Sequence, residues 1–166
     1  MIEFYPADLS NTTDEEFELY WNYKNELWVL NGDHPYSRDA VRTWYDDILS
    51  VDTNVVRVKD EDGKQVGFIF VGFGNNCHIG ADFYINDCYM EPDSRRQHLM
   101  FNAVCSYISE HPGRYCLFLI DSNSVAFAFW DRVFSELNYV KYPLPDLYEM
   151  ETETVHLHAF CPGPVR

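Results

Sequence analysis

Two arginines, Arg95 and Arg96, follow Pro92-Asp93-Ser94 at the point where an extended apolar run gives way to a segment of helical periodicity. Cations at a helix N-terminus oppose the positive end of its dipole, and a bound anion would resolve that conflict. The competing reading is that Glu91 and Asp93 neutralise the arginines at the surface, where such pairs contribute little. The run before this turn carries two carboxylates, Asp82 and Asp87. A carboxylate within reach of an amine can take its proton directly or through water, and either could face a cleft, with Asp87 the first candidate for general base. The alternative for a strand aspartate in so acidic a chain is a solvent face. His156 and His158 are two apart on a predicted strand, but no third ligand accompanies them, so no metal is expected. Gly72 and Gly74 before Asn75-Asn76 suggest a mobile loop near a cleft; no Lys or Ser/Thr follows as a phosphate-cradling loop needs.

These residues need a scaffold, and the pattern supplies one. Ile2 to Ala7 reads as a first strand. Thr13 followed by Glu16 is a capping-box signature that opens a helix running to Asn31-Gly32, and Ser37 to Leu49 repeats its apolar residues as a second helix. Trp21, Trp28 and Trp44 sit at core spacing on these two. Asn54 to Lys59 and Gln65 to Phe73 form a hairpin, and a further strand runs from about Ile79 to Met90. Pro92-Asp93-Ser94 supplies N-cap chemistry for a third helix ending at His111-Pro112-Gly113. Tyr115 to Ile120 is a strand apolar enough to be buried on both faces. Asn123 caps a fourth helix, which Asn138 closes in the left-handed conformation, and Tyr139 to Tyr142 and Glu151 to Phe160 are closing strands. The order is mixed α/β, with a crossover helix between the fourth and fifth strands.

A chain of 166 residues, 46% of them hydrophobic, is the size of one domain with a substantial core. Its 27 acidic residues against 12 basic ones leave a net charge of -15, which repels nucleic acid and anionic membranes. A basic protein or an amine substrate is the better partner. Five cysteines without a C-x-x-C pair fit reduced thiols. No leader and no run near about 18 apolar residues is present, so a soluble, cytoplasmic protein is expected.

The stretch Ile85-Asn86-Asp87-Cys88-Tyr89-Met90-Glu91-Pro92-Asp93-Ser94-Arg95-Arg96-Gln97-His98-Leu99-Met100 resembles the cofactor motif of the acyl-CoA N-acyltransferase (GNAT) superfamily. In that motif a strand runs into a valine-x-proline-acid turn, and Arg/Gln-x-x-Gly-x-Gly/Ala then opens a helix. Asn123-x-x-Ala126-x-x-Phe129-Trp130, ending in Leu137-Asn138-Tyr139, is similar to the family's N-x-x-A-x-x-F-Y…G-F block. The resemblance implies a single GNAT-like α/β domain over residues 1–166, with a central mixed sheet of six to seven strands and four helices. It further implies acetyl-CoA, bound by Arg95, Arg96, Gln97, His98, Leu99 and Met100 at the helix start and by Asn123. Backbone amides near Tyr89 and Met90 would polarise the acyl carbonyl, and Asp87 would be the base. The implied reaction moves an acetyl group from acetyl-CoA to a primary amine of a small molecule or protein.

Three positions depart from the family pattern. His98 and Met100 replace both motif glycines, each placing a side chain where the phosphates would approach. Trp130 stands where the family often has a tyrosine acid, and an indole N–H does not release its proton at ordinary pH. These departures support a second reading, a GNAT-like protein without transfer activity that serves as a binding or structural component, of a kind met among virus-encoded proteins.

Overall fold

The computed structural model describes residues 2–6, 12–32, 35–77, 80–143 and 155–163. The Thr13 hydroxyl accepts the Glu16 N–H to start α1 (Asp14–Asn31), and Gly32 ends it in the left-handed conformation, φ 69°. Ser37 caps α2 (Arg38–Leu49) through the Ala40 N–H at 3.2 Å. Glu16 has a second role: its carboxylate points into the core, where it accepts from the Tyr45 hydroxyl at 2.7 Å, Arg57 Nε at 2.6 Å and Gln65 Nε2 at 3.3 Å.

Among the described residues seven strands form one sheet in the order β1-β2-β3-β4-β5-β7-β6. They are β1 (Ile2–Pro6), β2 (Thr53–Lys59), β3 (Gln65–Phe73), β4 (Phe83–Met90), β5 (Tyr115–Ile120), β6 (Tyr139–Lys141) and β7 (Val155–Pro162). Neighbours are antiparallel except β4 and β5, which run parallel and are joined by α3 (Leu99–Glu110). Between β5 and β6 lies α4 (Ser124–Glu136), capped by Asn123 Oδ1 and followed by Asn138 at φ 56°. The strand placed from about Ile79 begins at Phe83, and Ile79 lies outside the described residues. Of the last predicted strand, residues 151–154 also lie outside them.

Two layers of helix cover the sheet. On one face α1 and α2 pack Phe17, Tyr20 and Tyr45 against Phe68 and Phe70. On the other, α3 and α4 pack Val104, Tyr107, Trp130 and Phe134 against Ile69, Val71 and Ile85. Alternation along β3 sends successive side chains to opposite layers, which is why this strand is apolar throughout. Phe134 stacks on Phe160 at 3.8 Å and 9°, tying α4 to β7. Trp44, placed at core spacing, is exposed at its helix surface and meets Tyr36 edge-on.

Close packing has removed one side chain altogether. A Cβ on Gly67 would lie 2.6 Å from the Tyr89 carbonyl oxygen, 3.2 Å from Met90 Sδ and 3.3 Å from Met100 Cε. The carbonyl is held in the sheet and cannot swing aside. Gly67→Ala is therefore expected to cost about 1–3 kcal/mol, read as a shift of the urea midpoint. A variant as stable as the parent would mean that β3 and β4 separate easily here.

Candidate active site

β4 and β5 share three pairs, Phe83↔Tyr115, Tyr84↔Cys116 and Ile85↔Leu117, and part beyond them. On its other edge β4 stays with β3 as far as Met90, but the register slips: Phe70 faces Asp87 while Val71 faces Ile85. Asn86 is the extra residue of a bulge. Without it Asp87 would share the face of Ile85, toward α3; with it Asp87 turns to the α1 layer. The Glu91 N–H donates to the Val66 carbonyl at 2.8 Å, so alternation directs the backbone groups of Cys88 and Met90 away from β3 and into the gap between β4 and β5. The same alternation commits the Tyr89 amide to β3, which leaves the Met90 amide to serve the gap. The Cys88 thiol is pushed up to about 12 by burial and by Asp87, so it is no thiolate nucleophile.

Asp87 is 5% exposed, and both its oxygens accept from Lys24 Nζ, at 3.1 and 3.3 Å. The ammonium lies 4.9 Å from the Tyr20 ring centroid and 4.7 Å from that of Tyr23. Burial and the neighbouring carboxylate raise the Tyr20, Tyr23 and Tyr84 hydroxyls well above the ordinary tyrosine range, so all three stay protonated beside Asp87. The other candidate, Asp82, binds the Arg114 side chain at the surface, before β4 begins. This pairing, at 44–49% exposure, lowers the Asp82 carboxyl below its usual range.

Past Met90 the chain makes a 3-10 turn over Pro92–Ser94, and α3 starts only at Leu99. The turn therefore does not cap the helix, and the arginines precede its first turn. Arg96 at φ 68° and His98 at φ 60° are left-handed, and no side chain caps α3. The first amides of α3 are left without a capping side chain. Arg95 folds back across the mouth of the gap: its Nε donates to the Met90 carbonyl at 2.9 Å, and its guanidinium pairs with Glu26 at 2.6 Å. The Tyr89 hydroxyl donates to the same Glu26 at 3.0 Å. Glu26 thus takes the part assigned to Glu91 and Asp93; Glu91 pairs with Lys64 instead. Arg96, Gln97 and His98 are exposed, and Arg96 has no acidic partner among the described residues.

α1 lies across this gap. It contacts β4 through Lys24 and, one and a half turns later, the Leu30 carbonyl accepts from Ser122 Oγ at 3.3 Å, just beyond β5. Trp28 falls between these contacts, and its buried Nε1–H has no hydrogen-bond partner among the described residues.

No protein-family model and no curated protein matches this sequence. Solved structures do match over nearly the whole chain. An acetyltransferase from Thermus thermophilus is 13% identical with a TM-score of 0.62, covering 95% of each chain. A GNAT-family acetyltransferase from Staphylococcus aureus is 12% identical with a TM-score of 0.58, covering 96% of this chain and 98% of its own. The NatC complex bound to Gag peptide and CoA matches at 17% identity and a TM-score of 0.53, over 97% of this chain and 98% of that one. The chain carries the GNAT fold.

Within this GNAT fold the departures from the family motif take a different meaning from the one their residue types suggest. His98 adopts the left-handed backbone a glycine would favour, so only its side chain is added. The Met100 side chain does not stand before the helix; it is buried against Gly67 in the core, and Met100 can serve an anion through its backbone N–H alone. Leu99 likewise packs inward. Asn123 spends its Oδ1 on the α4 cap. Trp130 is core, stacked on Phe134 at 5.9 Å, so no acid takes the family tyrosine's place at that position.

The glycine loop is tied down: Asn75 N donates to Asp52 Oδ2 and Asn76 Nδ2 to Thr53 Oγ1. It borders a depression of about 480 Å³ with Leu49 and Val51, at the opposite end of β4 from the α3 start. No cluster of three metal-ligating side chains occurs among the described residues, and His156 pairs with Asp121. No described helix is long and apolar enough to cross a membrane.

Lys24, Glu26 and Trp28 escaped sequence reasoning as site residues. The signal was the spacing Tyr20, Lys24, Trp28, which puts a lysine on the core-facing stripe of α1, where a buried cation requires an anion opposite.

Proposed function

We propose that this chain transfers an acyl group, acetyl first among candidates, from acyl-CoA to a primary amine of a small molecule or a basic protein. The observation that carries this reading is the parting of β4 and β5 beyond Ile85, with a buried carboxylate on one side and an uncapped helix start at its end. The residues fit the cofactor: unpaired strand edges suit an extended chain with amide groups, the free amides of α3 suit a pyrophosphate, and the orphaned Trp28 N–H awaits an acceptor. Bound acetyl-CoA would supply the activated thioester.

Arg96, with no acidic partner among the described residues, is the cation available to the pyrophosphate, while Arg95 fixes the mouth of the gap through Met90 and Glu26. The Met90 N–H, directed into the gap, is the donor placed to polarise a carbonyl there. Asp87 is the base, held by the bulge on the α1 side, and the -15 charge of the chain draws a cationic acceptor toward it. The reading without transfer activity keeps Trp130 in its support, since no tyrosine on α4 can protonate the leaving thiolate.

Calorimetric titration with acetyl-CoA tests the proposal. Arg96→Ala is expected to weaken binding about 10-fold, the value of one charge-assisted hydrogen bond. Arg95→Ala should act mainly on stability. No binding at millimolar acetyl-CoA would exclude the acyltransferase reading and favour a binding role.

A further inference from the structure

We propose that Lys24 is itself an acyl acceptor, modified on Nζ by the chain's own transfer chemistry. The inference rests on the acyl-transfer reading and goes beyond it. Lys24 Nζ is a primary amine already seated at the candidate base, 3.1 and 3.3 Å from the two oxygens of Asp87. Two aromatic rings, of Tyr20 and Tyr23, lie within 5 Å of it, the surroundings that favour an alkylammonium. The carboxylate it binds is the first residue past the Asn86 bulge, where β4 has left β5 and the gap begins. Lys64 and Lys141 do not share this setting. Both are more than half exposed and pair with surface carboxylates. Lys24, with its side chain 17% exposed, stands where an acceptor amine must stand to be deprotonated by Asp87.

The step balances without a further reactant beyond the acyl thioester. The Lys24 ammonium gives one proton to Asp87, and the freed lone pair attacks the thioester carbonyl carbon. The C–N bond forms, the C–S bond breaks, a second amine proton passes to the departing thiolate, and the third remains on the amide. Asp87 returns its proton to water. The flexible four-carbon stem lets Nζ swing from the carboxylate to a carbonyl in the adjacent gap. Acylation removes the positive charge and leaves Asp87 without its cation, so the modified protein carries a stability signature of its own.

The test is incubation of the full chain with acetyl-CoA, followed by peptide mapping of Lys24, Lys59, Lys64 and Lys141, with acetyl-CoA binding measured in parallel by calorimetry. Acetylation at Lys24 at least about 100-fold faster than at Lys64 or Lys141, with a rate constant independent of protein concentration, is expected of a prepositioned intramolecular acceptor. After removal of acetyl-CoA the modified protein should melt about 5 °C lower. Lys24→Arg keeps the ion pair and should abolish the fast phase, and Asp87→Asn should slow it about 100-fold. Lys24 acetylated no faster than the surface lysines, in a protein that binds acetyl-CoA, would overturn this inference and leave the transferase reading standing. A protein that does not bind acetyl-CoA would overturn both.

Discussion

Glu16→Ala is expected to lower the unfolding free energy by about 3–5 kcal/mol, the cost of removing one partner from a buried ion pair. The Glu16 carboxylate is fully buried and joins four elements: it sits on α1, accepts from Tyr45 of α2, pairs with Arg57 of β2 and accepts from Gln65 of β3. Removing it takes the buried carboxylate from a guanidinium only 15% exposed, and the Tyr45 hydroxyl and the Gln65 amide each lose one acceptor. Against a total stability of about 5–15 kcal/mol the loss is large enough to expose the apolar face of α1. Urea unfolding followed by tryptophan fluorescence measures it. Replacing both charges together, Glu16→Leu with Arg57→Met, should recover much of the loss, because the penalty lies in a guanidinium that has lost its buried carboxylate rather than in the missing pair itself. A single-variant loss below about 1 kcal/mol would mean that water reaches Arg57 once the carboxylate is gone.

Asp87→Asn is expected to reduce kcat for amine acetylation by about 100- to 10,000-fold with a smaller change in KM, as loss of a general base does. Asparagine keeps the shape and can still accept from Lys24, but it cannot take a proton. The steady-state rate at saturating amine is the deciding measurement, with the melting temperature of the variant as a check on folding. A raised KM at unchanged kcat would reassign Asp87 to holding the acceptor ammonium, with water as the base.

Much of the architecture was readable because it rests on local chemistry. Thr13, Ser37 and Asn123 cap helices since a short polar side chain can reach the amide three residues on, and Gly32 and Asn138 end them by adopting the left-handed backbone. The apolar run of β3 and the short run of β5 announce strands covered on both faces. The α3 boundary was misplaced for the same local reason in reverse. Ser94 has the chemistry of a cap, but two left-handed residues, Arg96 and His98, insert a loop before the helix, and that backbone is uncommon for any residue other than glycine.

The candidate site was readable only in part. Asp87 and the arginines are visible as residue types, yet their partners, Lys24 and Glu26, stand 63 and 69 positions away. Such pairings depend on α1 crossing from β4 to β5, a packing that no spacing along the chain encodes. Met100 shows the limit most plainly: at a motif glycine position it suggested a blocked cofactor loop, and packing against Gly67 turned it into the core.

By itself the sequence determined which segments are helix or strand, where most of them are capped, and the net acidic charge, because these follow from neighbouring residues and from composition. Tertiary structure decided where β4 leaves β5, which face the Asn86 bulge gives Asp87, and which amine waits beside it. Those outcomes are set by register and by contacts between distant segments, and they exist only once the layers have closed on the sheet.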